Sequence, residues 1–208
     1  MRPLVRDAAA DPAVRPARDA DVDAVAPLLY ETAPGLYDRY AGGRVRALRL
    51  LRKAFDEPGN NTSRDVVTVA EVEGSVAGAL AAFPVAENSE RAGAFMRLTL
   101  RTIPPWRWPG ALWVYRAGAR ATPAPPMSAL YIDALATDPR HRRRGVASAL
   151  LGEAERRARG EGLASVALDT SLDNKPARAL YLSAGYQEVA YRPPGRTLPG
   201  FVALVKEL

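Results

Sequence analysis

The stretch 136–151, ATDPRHRRRGVASALL, decides how the chain is read. Residues 140–144 hold four arginines and the only histidine of the chain, His141. Pro139 ends an apolar, strand-like segment, ALYIDALAT (129–137). Beyond the arginines, small or apolar residues at Val146, Ala149, Leu150, Ala154 and Ala158 share one face at helical spacing, which predicts a helix over 145–159. Residues 138–145 are therefore a strand-to-helix turn. No Ser, Thr, Asn or Asp directly precedes the helix, so its first N–H groups have no side-chain cap. Gly145 lets a ligand approach the backbone, Ala147 keeps the first turn uncrowded, and the aligned peptide dipoles favour an anion there. Charge alone favours a solvated basic loop, with a nucleic-acid contact as the second alternative. The placement between a strand and an amphipathic helix, with glycine at the junction, favours a phosphate site. A Walker phosphate loop does not fit, because no lysine follows the glycine.

Outward from this turn the pattern is regular. A strand, ASVALDTS (164–171), a helix over 175–184, and strands near 186–191 and 201–206 follow. A strand–helix–strand unit of this length favours a parallel pair with a right-handed crossover. Upstream, AVRPA is a short strand, and RDADVDAVAPLLY starts a helix behind Asp19 or Asp21 as N-cap. A second helix is expected over 42–55, with Val45, Leu48 and Leu51 or Arg52 on its apolar side and EPGNN ending it. Residues 65–85 read as a hairpin turning at Glu73-Gly74. The class is mixed α/β, with an antiparallel start and a βαβ centre. Residues 1–12 read as a loose tail and 13–208 as one domain, interrupted by an insertion at 86–128 with helical pieces and all three tryptophans.

Composition narrows the chemistry. The 208 residues suffice for one substantial core, and 48% hydrophobic with 25% charged residues mark a folded soluble chain. Without cysteine there is no disulfide, thiolate metal site or thiol nucleophile, and a single histidine cannot build a multi-histidine metal centre. Acid–base chemistry near neutral pH then falls to carboxylates, tyrosines, lysines or water. The net charge of +6 suits an anionic partner. The first residues lack the apolar core of a signal peptide, and VAGALAAFPVA (76–86) is too short to span a bilayer. A cytoplasmic location with no membrane or metal partner is the expectation.

Two motifs carry a resemblance. Arg142-Arg143-Arg144-Gly145-Val146-Ala147 resembles the R/Q-x-x-G-x-G/A motif of the GNAT superfamily of N-acetyltransferases, and YIDALATDPRH resembles that family's fourth strand and its exit. Downstream, NKPARALYLSAGY (174–186) resembles its N-x-x-A-x-x-L-Y-x-x-x-G-F/Y pattern. The resemblance implies a central mixed sheet of six to seven strands flanked by helices, with acetyl-CoA held at the βαβ centre. It also implies acetyl transfer to a primary amine of a small molecule or peptide. Backbone N–H groups of Arg143, Arg144, Gly145, Val146, Ala147 and Ser148 would then hold the pyrophosphate, with Arg142 beside them. Leu135, Ala136 and Thr137 would lend backbone groups to the pantetheine arm and the acetyl carbonyl. Asn174 would hold a pantetheine amide, cap the following helix, or do both, and Asp173 is a second cap candidate. Tyr181 would be the general acid, protonated at neutral pH with an ordinary pKa of about 10. As an isolated helical tyrosine it would read as core.

The base is a choice between Asp133 and Asp169, each in a mostly apolar strand. A carboxylate there is costly unless hydrogen-bonded or functional, and burial raises its pKa toward a useful range. Some relatives place an acidic base at the position of Asp169. Asp133 is slightly favoured, acting through water, and both could be structural. The insertion, with arginines 91, 97, 101, 107, 116 and 120 against Glu87 and Glu90, and with Phe95, Trp106, Trp108, Trp113 and Tyr115, would line the acceptor side. It would favour an acceptor with an aromatic or apolar body carrying an anion. Its other reading is a lid or dimer surface held by tryptophan burial. Two further classes stay open: a catalytically silent CoA-binding sensor or scaffold, and a basic nucleic-acid-binding module using residues 140–144. The module lacks a recognition helix nearby, so no nucleic-acid partner is expected. A homodimer is compatible with the resemblance.

Overall fold

The structure, a computed structural model, describes residues 11–195 and 199–208. Residues 1–10 of the expected tail lie outside the described residues. The strands are β1 (Ala13–Pro16), β2 (Val67–Val72), β3 (Ser75–Pro84), β4 (Ala129–Thr137), β5 (Ser165–Ser171), β6 (Gln187–Arg192) and β7 (Phe201–Glu207). The helices are α1 (Val22–Thr32), α2 (Pro34–Ala41), α3 (Arg44–Asp56), α4 (Asn88–Thr102), α5 (Trp108–Ala121), α6 (Val146–Gly160) and α7 (Lys175–Ser183). One seven-stranded sheet runs in the order β1-β2-β3-β4-β5-β7-β6. Among the described residues its only parallel pair is β4–β5, the pair joined by α6, so the mixed α/β class with a βαβ centre holds. At the β2–β3 turn both Glu73 (φ 54°) and Gly74 (φ 76°) are left-handed, the geometry a two-residue hairpin needs to follow strand twist.

Two apolar layers cover the sheet. On one face α1 to α5 pack Leu29, Leu50, Leu51, Phe55 and Phe95 against Val67, Val69, Ala79, Ala81 and Ala134. On the other, α6 sets Val146, Leu150, Leu151 and Ala154 against Ala77, Leu80, Leu130, Ile132 and Val166, with Tyr181 and Tyr186 beside them. Gly78 fixes the seat of α6: a Cβ there would lie 2.6 Å from Val146 Cγ1 and 2.9 Å from the Ala136 carbonyl oxygen. No side chain fits between strand and helix at that point.

The structure departs from the sequence expectations in the helical layer. α2 was not anticipated: Pro34 sits in its first turn, where proline costs no hydrogen bond, and Gly42 (φ 87°) ends it in the left-handed region. The buried face of α3 is Ala47, Leu50, Leu51, Ala54 and Phe55, whereas Val45 is 73% exposed and Leu48 only partly buried. The expected face was rotated because arginines flank the true one. Asp21 precedes α1, but its carboxylate accepts from Arg18 N at 2.7 Å and pairs with Arg15, which also binds Glu71. It ties helix entry to β1 and β2 and does not cap α1. Within one chain, tryptophan burial does not hold the insertion in place. Trp106, Trp108 and Trp113 are exposed, and α4 and α5 are anchored by Phe95, Met96, Leu98, Ala111 and Val114.

Candidate active site

The site forms where the sheet comes apart. β4 and β5 pair from Ala129↔Ser165 to Ile132↔Leu168, yet β4 runs on to Thr137 and β5 to Ser171. Beyond Ile132, β4 pairs only with β3 and β5 only with β7. One edge of Leu135, Ala136 and Thr137 therefore faces an opening with no strand in it. The divergence begins at a bulge: Ala81 pairs with Ala134 and Ala82 with Ile132, leaving Asp133 without a partner residue on β3. A bulge re-aims side chains and bends the strand locally.

Both carboxylates sit at this fork. Asp133 Oδ2 accepts a 3.0 Å hydrogen bond from Asn61 Nδ2, contributed by the loop between α3 and β2. Burial, then the nearby charge of Asp169, pushes the Asp133 pKa up to about 7, although the Asn61 bond works against the shift. Asp169, on the β5 side, accepts from the hydroxyl of Tyr131. Burial raises its pKa too. Tyr131 is itself held well above the ordinary tyrosine range by burial and by the two carboxylates. On the helical face toward α2, burial and the charge of Asp133 raise the pKa values of Tyr37 and Tyr40.

Tyr181 approaches from the opposite layer. It lies on α7, buried against Tyr186 with ring centroids 6.0 Å apart. Burial, then Asp169, pushes its pKa to about 12, so at neutral pH it keeps its proton. Asn174 caps α7: its side chain accepts from Ala177 N at 3.3 Å, and its amide donates to Thr170 Oγ1 at 3.3 Å. The oxygen end caps α7 and the nitrogen end ties it to β5, and the cap is Asn174, not Asp173.

The opening stretch shapes the N-terminus of α6. Asp138 receives Arg140 N at 2.8 Å and also takes the Arg140 side chain. The Asp138 N–H in turn donates to the Ala77 carbonyl at 2.8 Å. Arg143 (φ 61°) and Gly145 (φ 79°) are both left-handed, so the backbone folds back on itself before Val146. Such alternation turns successive N–H groups toward one concavity. No side chain caps α6, and a Cβ on Gly145 would meet nothing within 4 Å. The arginines divide: Arg140 pairs with Asp138 and Arg144 with Glu73, while Arg142 and Arg143 have no ion-pair partner among the described residues. The donors are thus backbone groups, with two unpaired cations beside them.

The sequence of residues 36–186 matches the acetyltransferase (GNAT) family. The chain belongs to the GNAT acetyltransferase family. Among solved structures, an N-acetyltransferase from Staphylococcus aureus Mu50 superposes with a TM-score of 0.73 at 20% identity, covering 93% of this chain and 100% of that one. A polyamine N-acetyltransferase of Drosophila melanogaster gives 0.58 at 19% identity, covering 95% and 100%. An agmatine N-acetyltransferase variant gives 0.60 at 19%, covering 96% and 100%. No curated protein matches. As a GNAT acetyltransferase the chain is an acyltransferase whose sequence motifs fall at the two sides of the fork. The reading from sequence missed Asn61, Tyr131, Tyr37, Tyr40 and Gly78. Asn61 lay in a loop read only as a helix stop. Tyr131 offered one signal, standing two residues before Asp133 on the same strand.

Proposed function

We propose that this GNAT protein transfers the acetyl group of acetyl-CoA to a primary amine, with Asp133 as general base and Tyr181 as general acid. The observation that carries the reading is the gathering of Asp133, Asp169 and Tyr181 where β4 and β5 part. Acetyl-CoA fits the donor set: uncapped N–H groups from Arg143 to Ser148 suit its pyrophosphate, with Arg142 and Arg143 adding charge. The open edge of Leu135, Ala136 and Thr137 suits its amide-bearing pantetheine arm. When bound, the group supplies an acetyl thioester, an electrophilic carbonyl on a sulfur leaving group.

The chain's own groups then move protons. Asp133, with a pKa near 7, takes the proton of the attacking amine, directly or through one water. The new bond joins the amine nitrogen to the carbonyl carbon, and the carbon–sulfur bond breaks. Tyr181 gives its hydroxyl proton to the departing sulfur. Asn174 acts through α7, holding Tyr181 in place. Asn61 fixes the Asp133 carboxylate, and Asp169 raises the pKa of both proton-transfer groups. The acceptor enters from the α1–α2 side, where Tyr37 and Tyr40 stand near Asp133, and so has an apolar or aromatic body. Of the insertion's six arginines, Arg91 is neutralised by Glu87 and Asp65, and Arg101 by Glu57. Primary alkylamines head the list to try, because agmatine and polyamine N-acetyltransferases share the fold.

Two measurements test the reading. Acetyl-CoA at about 100 times its Kd should stabilise the fold by about 2.7 kcal/mol, seen as a rise in Tm. Mass spectrometry across a panel of primary amines should then detect acetylated product. No Tm shift rejects the cofactor. A shift with no product from any amine rejects catalysis and leaves a CoA-binding protein.

A further inference from the structure

The face of α5 turned away from the core is apolar and basic at once. Pro109, Leu112, Trp113, Arg116, Ala117 and Arg120 line a shallow groove of about 460 Å³ along it. Trp113 is 51% exposed, and Trp106, just before the helix, is 80% exposed. From Arg91 to Ile132 the chain has six arginines and no Asp or Glu. Arg97, Arg116 and Arg120 are exposed and have no carboxylate partner among the described residues. The exposed indoles and the apolar groove lining form an apolar patch rimmed by arginines, the kind of surface that marks an interaction site.

The charge selects the occupant. A second copy docking through a two-fold axis would bring Arg116 and Arg120 toward their own equivalents, with no acid in the segment to neutralise them. A nucleic acid would match the arginines but gain little from Pro109, Leu112 and Ala117. A bilayer surface rich in anionic lipid matches both. Arginine meets lipid phosphate in charge-assisted hydrogen bonds, and tryptophan sits well at the boundary between headgroups and acyl chains. We propose that this face of α5, with Trp106, docks the protein on an anionic membrane surface. The helix lies in the plane of the interface; among the described residues no helix is long and apolar enough to cross it. α5 packs on α2, so docking places the acceptor side of the fork near the membrane. The docking stands independently of acetyl transfer.

The test uses the full chain with phosphatidylcholine vesicles, with and without about 30% phosphatidylglycerol. Cosedimentation is expected only with the anionic vesicles, and lipids brominated in their acyl chains should quench tryptophan emission. Trp106→Ala with Trp113→Ala should weaken binding at least about tenfold, with an unchanged far-ultraviolet spectrum because both indoles lie outside the core. Trp108 stays intact in this variant, since its indole N–H donates to the Leu100 carbonyl. Arg116→Gln with Arg120→Gln should weaken binding several-fold, and Arg142→Ala with Arg143→Ala should leave it within about twofold. The proposal falls on any of four results: no anionic-vesicle binding; binding without quenching; binding lost only with Arg142 and Arg143; or the tryptophan pair instead governing a monomer–dimer equilibrium or oligonucleotide binding.

Discussion

The arginines of residues 140–144 and those of α4 and α5 carry similar charge, but the structure spends it differently. In the first region two of four arginines are neutralised, Arg140 by Asp138 and Arg144 by Glu73, and the backbone turns left-handed at Arg143 and Gly145. The proposed anion site is then chiefly the uncapped N–H groups at the start of α6. In the second region Arg91 and Arg101 tie the insertion to Asp65 and Glu57, and Arg91 also pairs with Glu87 within it. Arg97, Arg116 and Arg120 project from helix faces, the last two beside exposed Trp113. One region is a backbone device with charge around it; the other is a side-chain surface. Counting arginines would not separate them, whereas the positions of carboxylates and of positive φ do.

The comparison can be broken from the catalytic side first. Asp133→Asn should lower kcat/KM about 10²–10⁴-fold while leaving acetyl-CoA affinity nearly unchanged, because the proposed mechanism has Asp133 act on the acceptor amine. The wild type should gain activity as pH rises through about 7, and the variant should lose that limb. The same shift has a stability consequence. Its folded pKa of about 7 lies above the ordinary 3.8, so the folded state binds this proton more tightly. Its contribution to stability is therefore fullest below about pH 4 and is lost as pH climbs to 7. At pH 8 Asp133→Asn should raise stability, by at most about 4 kcal/mol, and at pH 4 it should change little. Unchanged kinetics across pH would remove Asp133 from the mechanism.

A smaller effect is expected from Gly78→Val, which sharpens the claim that α6 must sit directly on β3. Its Cβ would clash with Val146 and with the Ala136 carbonyl. A loss of about 1–3 kcal/mol in denaturant unfolding should accompany weaker acetyl-CoA binding. Unfolding at the wild-type midpoint would show that α6 has another seat. Smaller again is the side-chain charge. Arg142→Ala with Arg143→Ala should weaken acetyl-CoA binding several-fold and flatten its salt dependence, as expected for exposed charges screened over about 10 Å. Arg140→Ala should change it less than about twofold, because that guanidinium is already paired with Asp138. A titration in which Arg140 matters as much as Arg142 would contradict the division.

What the sequence made legible is what is local. β4 runs over Ala129–Thr137 as its apolar pattern predicts, and α6, β5, α7 and the Glu73-Gly74 hairpin follow within a residue or two, because periodicity and turn chemistry act over a few residues. Arg143 and Gly145 lie in the turn that the strand–helix junction predicts. The rest depends on distant partners. The bulge that frees Asp133 is set by pairing with Ala81 and Ala82, and Asn61 reaches Asp133 across 72 residues of chain. Tyr131 meets Asp169 across 38. α2 was hidden because it is short and carries Pro34 and Gly35 in its first turn, and the three tryptophans, a residue type usually well buried, are exposed in the single chain. No spacing rule announces any of these contacts.

The central claim is that a backbone cradle at Gly145, not the arginine count, holds the cofactor, and calorimetric titration of acetyl-CoA into the wild type and Gly145→Val tests it most directly. A β-branched residue at φ 79° is strained and its side chain enters open space at the start of α6. The account predicts at least about a hundredfold loss of affinity in Gly145→Val at unchanged secondary structure, far beyond the several-fold loss of the Arg142 and Arg143 pair. Equal losses in the two variants, or wild-type affinity in Gly145→Val, would show that the run 140–144 is only a charged patch.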